Sequence, residues 1–417
     1  LPKKLSDLEA DSTLLAKLSS ASVQDFLLSQ EGSDISQLVL RSSSYEGISS
    51  AQIATQLKSR GKARLKLPRW HGTRGVVYPP SLNLEQCSSE TTARFKSGVI
   101  QSLGVKKMAD LSGGFGVDAF YFAEHSSVDY VEPDAWLMSL ARHNHHLMGA
   151  RLTYHNSTAE EYLKSTNETF DLIFVDPSRR NERLQKVHGI SDCVPNVLAL
   201  QERIFASARW LLVKASPLLD IHHAVRELQN VKTVVIVSVD NECKELLFLC
   251  ERNLVDEPLV RCINLRSTDS RFPPDSRFFD FRFLEERSAT ISLGRPLNYL
   301  YEPHASILKG GAFKLVGVRN GVQKVHGSTH LYTSDNWLEG FPGRQFRVLQ
   351  AVALDKKLTG LFPEGYANIL VRNHALSVED IKKKTGLKEG GQLYLICGRD
   401  EKQFFALMAE RVDDGHF

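Results

Sequence analysis

Residues 106–118 read KKMADLSGGFGVD, and the layout of that stretch decides the fold. An apolar pair, Met108 and Ala109, runs into Asp110, and Gly113, Gly114 and Gly116 follow at once. The next residues, 119–123, are compact and compatible with a helix. A strand that turns through glycines into a helix leaves bare backbone N–H groups at the helix start. The polar end of a nucleotide-like ligand is accepted there, because no side chain blocks its approach. The spacing is D-x-x-G-G-x-G, with the acid at the strand tip, rather than the dinucleotide fingerprint G-x-G-x-x-G. Residues 128–132 (VDYVE) read as a second strand ending in Glu132, about twenty residues beyond Asp110 and placed to accept hydrogen bonds from both hydroxyls of a ribose. A third run, residues 170–175 (FDLIFV), is apolar enough for a strand buried on both faces of a parallel sheet, and it ends in Asp176-Pro177-Ser178-Arg179-Arg180. Three polar strand tips then line one carboxyl edge of a doubly wound α/β sheet.

At 417 residues the chain has room for two or three domains, and 42% hydrophobic and 24% charged content suits well-filled cores. Net charge is only +3, so a nucleic-acid partner has to be read from local clusters, not from the total. Cys87, Cys193, Cys243, Cys250, Cys262 and Cys397 form no CxxC pair. That argues against a zinc site and a disulfide framework, and fits a reducing cytosol. No apolar run reaches the length of a membrane span, and LPKKLSDLEAD lacks the apolar core of a signal peptide. A cytoplasmic protein with no membrane partner is the expectation.

Upstream of the glycine turn, residues 1–60 read as helices, with leucines 5, 8, 14, 15 and 18 near helical spacing and Ser49 or Ser50 as a later N-cap. Residues 58–70 (KSRGKARLKLPRW) carry six cations and no acid, closed by Trp70. Two readings stand. One is a solvated helix end or linker. The other is a phosphate-contacting strip of Lys62, Arg64 and Lys66, with Trp70 placed to stack on a base. Pro79-Pro80 marks a boundary, and residues 87–104 read as a helix N-capped by Ser88 or Ser89. His143, His145 and His146 lie on a helix over 134–147 with no further ligand nearby, so no metal is expected. Strands at 152–155, 210–215 and 233–239, with an antiparallel partner at 245–251, complete a sheet of seven. Beyond residue 255, segments 277–283, 289–294, 309–318, 367–372 and 392–399 read as strands, 377–387 as a capped helix and 401–411 as a final helix.

DLSGGFG (110–116), Glu132 and DPSRR (176–180) resemble the motifs of class I S-adenosylmethionine-dependent methyltransferases. LKLPRW (65–70), QCSSETTARFK (86–96), SVDNECKELL (238–247), LYEPHASILKGGAFKL (300–315), HLYTS (330–334) and FPGRQF (341–346) extend the likeness. With them the chain resembles a bacterial family of predicted RNA methyltransferases with a THUMP-like C-terminal domain. The resemblance implies a small helical N-terminal domain with the basic strip over 1–80, a Rossmann-like, seven-stranded class I methyltransferase domain over 81–254, and an α/β C-terminal domain over 255–417. The last includes a THUMP-like module, a class that binds RNA in modification enzymes. S-adenosyl-L-methionine is the implied cofactor. Asp110, Ser112, Gly113, Gly114, Gly116 and Asp118 would surround its methionine end, Glu132 its ribose, and Asp176 its reacting edge. Ser157 and Thr158 stand where this class often has an acid against the adenine amino group, and Thr158 is taken for that contact. RNA, as tRNA or rRNA, is the implied partner; protein partners are not indicated.

Methyl transfer from a sulfonium is an in-line displacement, so positioning does most of the work. In loops of the (Asp/Asn)-Pro-Pro-aromatic kind, the acid or amide and a backbone carbonyl grip an exocyclic amine. Asp176 and Pro177 match that pattern, while Ser178 replaces the second proline and Arg179 the aromatic. A guanidinium can stack on a base or hold a phosphate, so the expected catalytic set is Asp176, Pro177 and Arg179. The other reading of Asp176-Pro177 is a helix N-cap. Covalent pyrimidine methylation needs a cysteine near this loop or after the fifth strand, where Lys214-Ala215-Ser216-Pro217 has none, and Cys193 fits packing. Methyl transfer to a base of tRNA or rRNA without a covalent cysteine intermediate is therefore expected. A small-molecule methyltransferase and a non-catalytic RNA-binding protein on the same fold stay open. Lys214 has two uses open to it, a phosphate or an acid.

Overall fold

The computed structural model describes residues 5–41, 44–178, 189–191, 193–269, 271–274 and 277–412; Arg179 and Arg180 lie outside them. Contacts group the chain into two compact units. The first holds residues 1–232, 247–256 and 266–272, and the second residues 233–246, 257–265 and 273–417.

The first unit opens with helices Leu5–Leu18, Ala21–Ser29, Ile35–Arg41 and Ser50–Lys66. Ser49 caps the last of these in a reciprocal box with Gln52, which satisfies two end N–H groups at once. Val23, Leu27, Ile48, Ile53 and Leu57 pack with Val77 and Leu140, so these helices share a core with helix Ala135–Leu147. Five parallel strands follow: β1 (Lys107–Asp110), β2 (Ser127–Val131), β3 (Thr153–His155), β4 (Phe170–Val175) and β5 (Ala208–Ala215). In register, Asp110 stands opposite Tyr130 on one side and Phe174 on the other, which brings the three polar tips to one edge.

The larger sheet adds β6 (Val231–Val239), β7 (Glu242–Glu251), β8 (Leu259–Leu265) and β9 (Phe279–Arg282), in the order β3-β2-β1-β4-β5-β7-β6-β8-β9. This is two strands more than the seven expected. β8 runs parallel to β6 and β9 antiparallel to β8. The apolar run of β6 would otherwise be an open edge with a row of unpaired main-chain groups, and β8 covers it.

The second unit carries a seven-stranded sheet built from β10 (Tyr299–Pro303), β11 (Gln323–His326), β12 (Thr329–Ser334), β13 (Gly343–Ala351), β14 (Tyr366–Arg372), β15 (Lys388–Arg399) and β16 (Phe404–Arg411). Their order is β11-β12-β10-β13-β16-β15-β14. β14 and β15 are parallel and joined by helix Val378–Thr385, which is capped by Ser377 and Asp380 and buries Ile381 and Thr385. Three sequence expectations are corrected here. The final helix is strand β16, because Asp400 accepts hydrogen bonds from the N–H groups of Lys402 and Gln403, turns the chain back, and pairs it with both β13 and β15. Segment 309–318 is not a strand: helices Ala305–Gly310 and Leu315–Arg319 occupy it, separated at Gly311 with φ +82°. Segment 289–294 makes only an isolated bridge, Leu293 to Lys324.

Candidate active site

At the tip of β1 the Asp110 carboxylate is buried and accepts hydrogen bonds from the Ser112 N–H (3.0 Å) and hydroxyl (3.2 Å). The same hydroxyl oxygen accepts the Asp176 N–H at 2.6 Å, so one serine ties the β1 tip to the β4 tip. Burial pushes the Asp110 carboxyl up to about 8, against the downward pull of Ser112 and with help from Asp118 and Asp176.

The three glycines answer to two different demands. A Cβ on Gly113 would lie 2.4 Å from the Tyr130 ring, and one on Gly116 (φ +83°) 2.6 Å from His145. Gly114 has φ +58°, but a Cβ there meets nothing nearer than the Ser112 carbonyl at 3.7 Å. Only Gly114 faces open space, where a ligand would approach; the other two glycines make room for the protein's own aromatic rings.

Glu132, 8% exposed, accepts the Gly114 N–H on one oxygen and the Asp134 N–H on the other, both at 2.8 Å. Burial raises its pKa, and these two bonds oppose the rise. Each oxygen keeps a further lone pair, so the carboxylate is already aimed when a ribose diol arrives. Asn156 closes this corner, its amide donating to the carbonyls of Glu132 (2.9 Å) and Pro133 (3.0 Å). Thr158 caps helix Ala159–Ser165 in a reciprocal box with Glu161, which commits its hydroxyl to the Glu161 N–H.

Asp118 turns toward residues 88–96: the Ser88 hydroxyl donates to it at 2.7 Å and the fully buried Lys96 ammonium sits 3.2 Å away. From the sequence Ser88 is expected at most as a helix N-cap, a place Ser89 takes, and Lys96 and Cys87 have no assigned role; their only signal is the block QCSSETTARFK. Asp176, at the β4 tip, pairs with Lys214 from the β5 tip, which settles which of its two uses Lys214 takes. Pro177 is buried, and Ser178 exchanges backbone hydrogen bonds with Val194.

Of the three helix histidines, His145 is wholly buried rather than facing solvent. Its Nε2–H donates to the Gly116 carbonyl at 2.8 Å and its Nδ1 accepts from the Tyr154 hydroxyl at 3.0 Å. Burial pushes its pKa down to about 4, so it stays neutral and props the glycine turn. Among the described residues no group of three or more His, Cys, Asp or Glu is placed to hold a metal, and no helix is long and apolar enough to cross a membrane.

The whole chain is similar to the crystal structure of a presumptive methyltransferase from Porphyromonas gingivalis W83. The match covers 99% of this chain and 100% of that one, with 27% identity and a TM-score of 0.80. Residues 299–342 match a family of ferredoxin-like domains and residues 343–411 a THUMP domain-like family. The chain has a methyltransferase fold with a THUMP-like end. Two further likenesses are too weak to bear on it. A presumptive O-methyltransferase from Klebsiella pneumoniae aligns over 48% of this chain and 99% of its own, with 14% identity and a TM-score of 0.32. A Pyrococcus abyssi tRNA (uracil-54, C5)-methyltransferase, solved with S-adenosyl-L-homocysteine, aligns over 39% of each chain, with 16% identity and a TM-score of 0.27. No curated protein matches the chain.

On this methyltransferase fold the basic strip is divided. Trp70 is 0% exposed, packed at tilted and edge-on angles into a core with Phe115 and Phe120, so its ring is not presented to a base. Arg60 is buried against Glu31, Lys62 pairs with Glu85, and Arg69 meets Glu124 at 2.8 Å. Lys66 is half-buried and donates to the carbonyls of Leu84 (2.9 Å) and Glu85 (2.7 Å). Burial lowers its pKa. Lys58 and Arg64 stay exposed, with no ion-pair partner among the described residues.

Proposed function

We propose that this chain is an S-adenosylmethionine-dependent methyltransferase whose acceptor is a base of tRNA or rRNA, methylated without a covalent cysteine intermediate. The observation that carries this reading is Glu132. Its carboxylate is held by backbone N–H groups from the glycine turn and the next loop, beside the linked tips of Asp110 and Asp176. These residues fit the cofactor: Glu132 suits a ribose diol, and Gly114 leaves a face no side chain fills. When bound, the cofactor supplies an electrophilic methyl group on a sulfonium.

The chain's own part is positioning. Lys214 holds one oxygen of Asp176, and the other oxygen is left to accept an N–H from an exocyclic amine and aim its lone pair. As the amine gains positive charge, the carboxylate stabilises it more than it stabilised the ground state. Arg179, outside the described residues, is assigned the base or phosphate contact, and Pro177 the shape of the loop. Burial pushes the Cys87 thiol up to about 11, and Cys193 is buried with its thiol donating to the Gly189 carbonyl at 3.3 Å. Neither supports a thiolate nucleophile.

For RNA, the support is the THUMP-like match at 343–411 and the exposed Lys58 and Arg64. In this reading residues 81–254 transfer the methyl group, while 1–80 and 255–417 grip RNA. All six cysteines are free, which suits the cytoplasm. The test is Asp176→Ala in single-turnover transfer to unmodified tRNA and rRNA. The rate should fall at least about a hundredfold, with S-adenosylhomocysteine affinity unchanged. Near-normal rates would remove Asp176 from the mechanism. A parent protein that binds the cofactor yet methylates neither RNA would move the reading to a small-molecule acceptor.

A further inference from the structure

The second unit contains a cavity of about 280 Å³ beside β8, β9 and helix Ala305–Gly310, near the lower end of small-ligand pockets. Two arginines, Arg277 and Arg319, line it against one carboxylate, Asp280. Arg261 already holds that carboxylate in a fork, with contacts of 3.1 and 2.7 Å. Arg277 donates to the Asn264 carbonyl at 2.8 Å; Arg319 donates to the Asp280 carbonyl and meets Glu285 at 3.1 Å. The lining thus brings two guanidinium groups, each with several N–H donors, beside a carboxylate that a third arginine already holds, a set suited to an anion.

Its polar groups are set in fixed directions. The Asn264 side-chain oxygen accepts from the Ser238 hydroxyl and the Asn241 N–H, both at 2.8 Å, which leaves the amide nitrogen as donor. The Asn320 amide nitrogen donates to the Val316 carbonyl at 2.7 Å, which leaves its oxygen as acceptor. A donor and an acceptor fixed in this way match the edge of a heteroaromatic base. Phe279 adds an aromatic wall, with the Arg319 guanidinium 5.2 Å from its ring centre. Ser306 supplies the independent sign of a ligand. Ser306 lines the cavity and is 1% exposed, and its buried hydroxyl has no hydrogen-bond partner among the described residues, which is costly unless something else satisfies it.

We propose that this cavity binds a nucleoside monophosphate, either free or as the 5′-phosphorylated end of an RNA. Arg277, Arg319 and the Ser306 hydroxyl take the phosphate, and Asn264 and Asn320 read the base against Phe279. All these residues belong to the second unit, so the site stands whether or not the chain transfers methyl groups.

Calorimetry on the full chain with AMP, GMP, CMP and UMP tests this. At least one should saturate, with its nucleoside and inorganic phosphate each about tenfold weaker or worse. Arg277→Gln should weaken binding about tenfold, and Ser306→Ala about threefold. Ser306→Ala should also melt at or above the parent temperature, because it removes a buried unsatisfied hydroxyl, an outcome that a purely structural serine would not give. Glu132→Gln should leave this binding unchanged, which separates it from the strand-tip site. Displacement of the nucleotide by a short 5′-phosphorylated RNA, but not by its 5′-hydroxyl form, identifies the RNA end as the source; no displacement by either identifies the free nucleotide. No saturation below about 1 mM, or binding indifferent to both Arg277→Gln and Ser306→Ala, overturns the proposal.

Discussion

Glu132→Gln keeps the side chain's shape and changes two things that can be read separately. In the parent, both carboxylate oxygens accept backbone N–H groups at 2.8 Å. Glutamine offers one oxygen and one NH₂, so either Gly114 or Asp134 ends with its N–H facing another donor in a buried corner. Leaving a buried donor unsatisfied costs about 1–3 kcal/mol. In a unit of this size each kcal/mol lowers the melting temperature by about 2–4 °C. The second effect is on the ligand. A hydrogen bond to a charged group contributes about 1.5–3 kcal/mol against about 0.5–1.5 for a neutral one. Losing that charge assistance therefore weakens the ribose contact by about 1–2 kcal/mol, or about 5- to 30-fold in Kd. Calorimetry with S-adenosylhomocysteine reads the second effect and differential scanning fluorimetry the first. A variant that melts lower but binds within twofold of the parent would make Glu132 only a prop for the glycine turn. A variant that melts unchanged would refute the two backbone bonds themselves.

Burial pushes the Asp110 carboxyl up to about 8, above its unfolded value near 4, so the folded protein holds a proton that the unfolded chain has lost. That stabilisation is full below about pH 4 and lost as pH rises to about 8. Asp110→Asn should thus gain melting temperature relative to the parent steadily from pH 5 to 8, and a pH-independent difference would place the ionisation elsewhere. Gly113→Ala forces a Cβ to within 2.4 Å of the buried Tyr130 ring. It should cost about 1–3 kcal/mol in chemical denaturation, and an unchanged midpoint would contradict that packing. Replacing Lys58 and Arg64 together with alanine should flatten the log–log salt dependence of single-stranded RNA binding by about 1.4, at about 0.7 per cation. An unchanged slope would return both to a solvated helix face.

The parts of this protein legible in its sequence are those that short-range chemistry dictates. A strand buried on both faces must be apolar along its length and polar where it emerges, so FDLIFV followed by Asp176 could be recognised as β4. Ser49, Ser89 and Ser377 announced their helices because a cap acts on an N–H three residues away. The same local view misread residues 404–411. Ala406, Leu407, Met408 and Glu410 favour a helix, but pairing on both sides with β13 and β15 outweighs that preference.

What only the tertiary structure decided are the pairings between residues distant in sequence. Lys214 reaches Asp176 across 38 residues, and the Ser112 oxygen receives the Asp176 N–H across 64, because parallel strands deliver their tips to one edge. No local pattern distinguishes Gly114, open to a ligand, from Gly113 and Gly116, which yield to Tyr130 and His145. The same holds for Trp70 and the cavity at Ser306. The sequence by itself determined which segments become strands and helices and which polar residues stand at their ends, since those depend on neighbours a few positions away. The tertiary structure determined which of those residues are occupied by one another and which are left for a ligand, since that depends on the packing of the whole unit.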